Sequence, residues 1–189
     1  MAEAPSGVLK VALIWAWGAA YALDRAMGNT QMTGWPFLLQ VLFPASVGLL
    51  GGAFYFYAMG LVVDLTGAWF GGKASSSQIR VALIFGGVPK AASLLGYVLL
   101  VFVFDRAYFE DNSIPDGYGS TSVAFFYAVS CVVVGLSIWS VFTMANALAE
   151  VQQYVSAWRA FFHLVTAFVL LVLAIAVPFF LWFLLVSRP

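Results

Sequence analysis

The sequence predicts an all-α integral membrane protein, a bundle of about five transmembrane helices with its N-terminus cytoplasmic and its C-terminus outside. Three observations lead there. Of 189 residues, 63% are hydrophobic and only 8% charged, with a mean hydropathy of +0.99. A soluble domain carries about 25% charged residues, so this composition cannot build a water-facing surface. The apolar residues gather into stretches near or above the roughly 20 residues needed to cross about 30 Å of hydrocarbon. The connections are short and hold no low-complexity linker, so residues 1–189 read as one transmembrane domain.

The candidate spans are roughly 8–23, 36–64, 80–104, 122–148 and 160–186. The first is the shortest and carries Lys10, whose ammonium can snorkel to the interface. Lys10, the apolar run and Ala20-Tyr21-Ala22 also imitate a signal peptide with its cleavage site. Because the chain starts at Met1, the expectation is a retained helix, either crossing the membrane or lying at its surface.

Span two contains Gly48 and Gly52, a GxxxG spacing suited to close helix packing, as is the pair Gly87 and Ala91 in span three. In span three Gly86, Gly87 and Pro89 predict a kink, since proline removes a backbone donor and glycine resists bending little. Span four carries Ser137, Ser140 and Met144 at helical spacing, a weakly polar face expected to hydrogen-bond between helices. A five-span layout puts Lys10, Lys73, Arg80 and Arg159 inside and Arg25, Arg106 and Arg188 outside, a weak positive-inside bias. The long acidic loop 105–119 then faces out.

Eight basic and eight acidic residues leave no field for nucleic acid, and the partner that composition names is the lipid bilayer. The single cysteine, Cys131, excludes an internal disulfide and a cysteine metal cluster. Gly67-Ala68-Trp69-Phe70-Gly71-Gly72-Lys73-Ala74 nearly spells a phosphate-binding loop. It lacks the final Ser/Thr and follows an apolar helix rather than a strand, so nucleotide binding is rejected. His163, the only histidine, excludes bis-histidine haem and the two-histidine zinc helix, and reads as an interfacial residue. No catalytic constellation is legible, so the reading is not an enzyme, with no cofactor and no metal.

Two charges stand inside the apolar spans. Asp64 and Lys90 lie about 10 and about 16 Å from the intervening turn at 1.5 Å per residue, which makes them a candidate intramembrane ion pair. A structural pair outweighs an ion relay, because transport pathways usually assemble more ionisable groups than two.

The two inner loops resemble the Yip family, the Ypt-interacting proteins and their bacterial relatives. The resemblance rests on Gly71-Gly72-Lys73-Ala74-Ser75-Ser76-Ser77, then Arg80-Val81-Ala82-Leu83 and Val88-Pro89. A second patch comprises Ile138-Trp139-Ser140-Val141, Ala147-Leu148-Ala149-Glu150 and Ser156-Ala157-Trp158-Arg159-Ala160. The resemblance covers roughly 65–186 and implies five spans with the N-terminus in the cytoplasm. Eukaryotic members are similar in binding Rab-type GTPases through a cytoplasmic N-terminal region. Here only Met1 to Gly7 precede the first apolar segment, which points away from GTPase binding; among the family the expected likeness is to the bacterial branch, with a bacterial inner membrane as the expected location.

The function expected is a non-catalytic scaffold or accessory subunit that packs on other integral membrane proteins. The eighteen Phe and seven Trp suit helix and lipid contact. Two alternatives from other classes are a small transporter or channel using Asp64 and Lys90, and a membrane-shaping or lipid-organising factor.

Overall fold

Hydrocarbon supplies no hydrogen-bond partner, so a chain this apolar must satisfy its backbone within helices. The structure, a computed structural model, describes residues 6–29, 32, 34–110 and 118–187. Arg188 and residues 111–117 of the acidic loop lie outside the described residues. Helix α1 (Gly7–Ala26) starts at Ser6, whose hydroxyl accepts from Leu9 N. Helix α2 (Phe37–Gly67) follows Pro36 and runs on as a 3₁₀ turn, Ala68–Phe70. Helices α3 (Ser76–Gly86) and α4 (Val88–Phe104) together form the third span, broken at Gly87. A short α5 (Ala107–Glu110) precedes α6 (Ser120–Gln152) and α7 (Ala157–Val186). Five of these stretches are long and apolar enough to span a membrane, and the described residues include no strand.

The third span starts at Ser76 rather than near residue 80. Ser75 makes a capping box, its hydroxyl accepting from Gln78 N while the Gln78 side chain accepts from Ser75 N at 2.9 Å. A polar run that reads as loop is thus the first helical turn.

The loops 71–75 and 153–156 lie at one end of the bundle, called here the hairpin end, with the start of α1. The connections after α1 and α4 lie at the other. Helix α1 packs between α2 and α4, α6 packs on α3 and α4, and α7 packs on α6 and α2. Two apolar cores result. One, toward the hairpin end, joins Phe56, Val63, Ile79, Leu83, Leu148 and Leu164. The other, toward the far end, joins Leu23, Tyr97, Leu100, Phe104, Phe109 and Val133.

With lipid as apolar as leucine, helices gain little by merely hiding side chains from it, and close backbone approach carries association instead. Gly48 and Gly52 serve that approach. A methyl group on Gly48 would lie 2.5 Å from Ala19 N, and one on Gly52 would strike the Ile14 carbonyl. Gly18 answers from α1, with no room for a methyl against the Gly48 carbonyl. The three glycines let the two backbones touch. About 100° around α2 from Gly52, Gly51 has nothing within 4 Å of where its side chain would be.

Gly48→Leu is expected to lower the unfolding temperature in detergent and cost about 1–3 kcal/mol by overpacking. Gly51→Leu, its neighbour on the open side, is expected to leave that temperature nearly unchanged.

Candidate functional site

Polar side chains inside a membrane bundle mark where chemistry or architecture is concentrated. Here most of them form two clusters, with buried Gln40 apart, its Nε2 donating to the Met32 carbonyl. The first spans α1, the third span and α6. Lys90 lies fourteen residues from both Ser76 and Phe104, about 21 Å from either end of the span at 1.5 Å per residue. Its Nζ donates to Ser137 Oγ at 3.1 Å and to the Tyr97 hydroxyl at 3.5 Å, and it also sits over the Tyr97 ring. The Tyr97 hydroxyl in turn donates to Asp24 Oδ1 at 2.8 Å. Ser137 can accept because its own proton goes to the Val133 carbonyl. A cation at mid-depth is thus linked through one phenol to a carboxylate near the end of α1.

Beside Asp24, the Tyr108 hydroxyl donates to the Leu23 carbonyl at 3.2 Å. Burial, and then the Asp24 charge, push its pKa well up, so it stays a donor. The cluster therefore approaches the surface at the far end.

Asp64 takes no part in it. Its Oδ2 accepts from Ser76 Oγ at 2.6 Å, which sets Asp64 level with the first turn of α3. Lys90 lies fourteen residues further along that span, about 21 Å away along the axis. The expected Asp64–Lys90 pair does not form, because the helix begins earlier than its apolar run does. The carboxylate that Lys90 does associate with is Asp24, which lies just past the apolar run 8–23.

Gly86, Gly87 and Pro89 divide α3 from α4, with Pro89 in the first turn of α4. Thr143 Oγ1 donates to the Gly86 carbonyl at 2.5 Å, and Ser140 Oγ lies 3.5 Å from it. A methyl on Gly86 would sit 2.5 Å from the Met144 Cα, so the break is also where α6 comes closest. Ser137 and Ser140 thus both bond from α6 to the third span.

The second cluster closes the hairpin end. His163, wholly buried, has its Nε2 2.8 Å from Thr66 Oγ1 and its Nδ1 2.8 Å from the Tyr154 hydroxyl. Thr66 gives its proton to the Val62 carbonyl at 2.7 Å, so it accepts from the ring. That assigns the neutral Nε2–H tautomer, with Tyr154 donating to Nδ1. Burial raises the Tyr154 pKa against the opposing pull of Arg159, which keeps the phenol protonated for that bond. Phe70 stacks on the ring at 4.5 Å.

Next to it, buried Gln152 accepts from Ala74 N through Oε1 at 3.1 Å, and a methyl on Gly72 would strike that oxygen. Gly71 takes the left-handed conformation at φ 67°, where glycine alone is unstrained. A methyl there would also lie 3.3 Å from an Arg159 guanidinium nitrogen. The guanidinium rests over the Tyr154 ring. The Gly71-Gly72 loop is therefore filled by protein side chains, not shaped around a phosphate. Arg80 lays its stem against Gly60 and its guanidinium over Tyr57, while Lys73 and Trp158 face outward.

The two sequence patches, about eighty residues apart, meet in this cluster. A family model, the Yip1 domain, matches residues 1–178. The chain belongs to the Yip1 family. Comparison with curated proteins and with solved structures gives no match. The hairpin and the Arg159 segment, which carry the resemblance to the Yip family, are parts of one interlocked assembly at one end of the bundle. Asp24, Tyr97, Gln152 and His163 escaped the sequence reading as site residues. For His163 a signal existed: a lone imidazole in the second turn of an apolar helix needs partners, and Thr66 closes a facing span.

Gly72→Ala should displace Gln152 from Ala74 and lower stability by about 1 kcal/mol, while Lys73→Ala, at the exposed neighbour, should not. Thermal unfolding in detergent reads both. Lys90→Met and Asp24→Asn should each cost about 1–3 kcal/mol, less than the 3–5 of a fully buried pair because both are only partly buried. The double variant should cost less than the sum of the two, and additive losses would count against coupling through Tyr97.

Proposed function

We propose that this Yip1-family protein is a non-catalytic scaffold or accessory subunit that packs laterally against other integral membrane proteins. The observation that carries the reading is the second half of α7. Residues 172–187 are exposed on every side, whereas Ala160, His163, Leu164 and Ala167 hold the first half in the bundle. Fifteen helical residues, about 22 Å at 1.5 Å per residue, therefore stand clear of the chain's other helices and present Phe179, Phe180, Trp182 and Phe183.

The internal polar groups support a structural role over transport. Each cluster uses its donors and acceptors to tie helices together, and between them lies the apolar core of Phe56, Leu83 and Leu148. A relay through Asp64 and Lys90 has no continuous polar route at this packing. We place the hairpin end in the cytoplasm of a bacterium and the spans in its inner membrane. Lys10, Lys73, Arg80 and Arg159 gather at that end, in keeping with the positive-inside rule.

A photo-crosslinking residue at Trp182, in native membranes, should yield a discrete adduct with another membrane protein, and one at buried Leu83 should not. A monodisperse monomer in mild detergent with no adduct at Trp182 would sink the scaffold reading.

A further inference from the structure

Where α7 parts from the bundle, a cleft of about 700 Å³ opens between α1 and α2. Its inner end is bounded by Trp17, Tyr55 and Phe168, and Gly51 lies along its side with open space above it. The residues that bound it are almost all apolar down to the last turn of α1. There Arg25 stands at the mouth with Asn29 at the rim. The Arg25 guanidinium lies 5.4 Å from the centre of the Tyr21 ring and makes no ion pair among the described residues. From Trp17 to Arg25 is eight residues of α1, about 12 Å, and from Phe43 to Tyr55 is twelve of α2, about 18 Å.

An apolar channel of that length, lying within two spans and opening at one interface beside a single cation, matches one class of molecule. We propose that the cleft is a binding site for an anionic phospholipid, its phosphate on Arg25 and one acyl chain along Gly51 toward Phe168. Arginine suits this role because its planar fork bonds two phosphate oxygens at once. The aromatic rings at the inner end give the chain a rigid stop. The selectivity comes from the headgroup, because an acyl chain leaves one apolar medium for another and gains little in the exchange. Arg25 also comes one residue after Asp24, so an occupied cleft abuts the helix end that Tyr97 ties to Lys90.

The test is native mass spectrometry of the full chain in detergent with added phosphatidylglycerol or phosphatidylcholine of identical acyl chains. The wild type should retain phosphatidylglycerol about fivefold better, the factor that one arginine contributes near an anionic headgroup. Arg25→Gln should erase that preference, and Gly51→Leu should reduce retention of both lipids, with helix content unchanged by circular dichroism. Lys73→Gln, which removes a cation at the opposite end, should leave the preference intact. Equal retention of the two lipids by the wild type, an undiminished preference in Arg25→Gln, unaltered retention in Gly51→Leu, or an equal loss in Lys73→Gln would each overturn the proposal. If Gly51→Leu changes the helix content, Gly51→Ala replaces it, and retention equal to wild type then counts against the site.

Discussion

A lysine at the middle of a membrane span sets the terms for much of this bundle. Hydrocarbon offers Lys90 neither water nor a counter-ion, so its ammonium must find partners on other helices. It takes Ser137 from α6 and, through Tyr97, the carboxylate of Asp24 from α1. Those bonds reach both helices that flank α4, which fixes how α1, α4 and α6 stand around one another. A register slip of one residue on any of the three would separate the donors from their acceptors. An apolar contact tolerates such a slip, and a mid-membrane charge does not. Lys90 thus supplies specificity that the uniformly apolar surfaces around it lack.

Glycine supplies the complementary part. Polar bonds choose the neighbours, but attraction between helices in lipid depends on how closely their backbones come together. Gly18, Gly48 and Gly52 let α1 and α2 touch, and Gly86 does the same for α3 and α6. At Gly86 the two devices coincide, because the carbonyl that Thr143 bonds belongs to the glycine that brings α6 within reach. The break at Gly87 and Pro89 is therefore a joint, with a side chain from α6 bonded into it.

The sequence made the spans legible because lipid imposes a length and a polarity on every one of them. It made Gly48, Gly52, Ser137 and Ser140 legible as packing positions because small and hydroxyl-bearing residues have few other uses at that depth. The partnership of Lys90 was not legible. Asp64 is nearer in sequence than Asp24, and only the capping box at Ser75 reveals that the third span starts early enough to carry Lys90 beyond Asp64's reach. His163 was missed for a related reason. Its two partners come from the end of α2 and from the loop before α7, and no local pattern ties positions 66, 154 and 163. Local rules read elements well, whereas a hydrogen bond between elements depends on their relative depth, which a few residues of helix extension can alter by 5 Å or more.

The division of the molecule into two ends follows from the same accounting of polar groups. At the hairpin end, His163, Gln152, Gly71 and Gly72 interlock two loops, and α7 is anchored there by small and polar residues. Among the described residues beyond Ala167 no side chain bonds across to α2 or α6: Phe168 to Val186 offer neither hydroxyl nor amide, and the one N–H donor, on Trp182, is exposed. Nothing then holds α7 to the bundle except contacts that lipid can replace at little cost. Its departure from the bundle, and the cleft that opens beside α1 and α2, are thus consequences of where the polar residues stop. A helix that carried a serine or threonine one or two turns past Ala167, facing α2, would be drawn in and the cleft would narrow. The apolar run of α7 does more than span the membrane: with no polar group bonded to a neighbouring helix, it leaves that surface to lipid or to another protein.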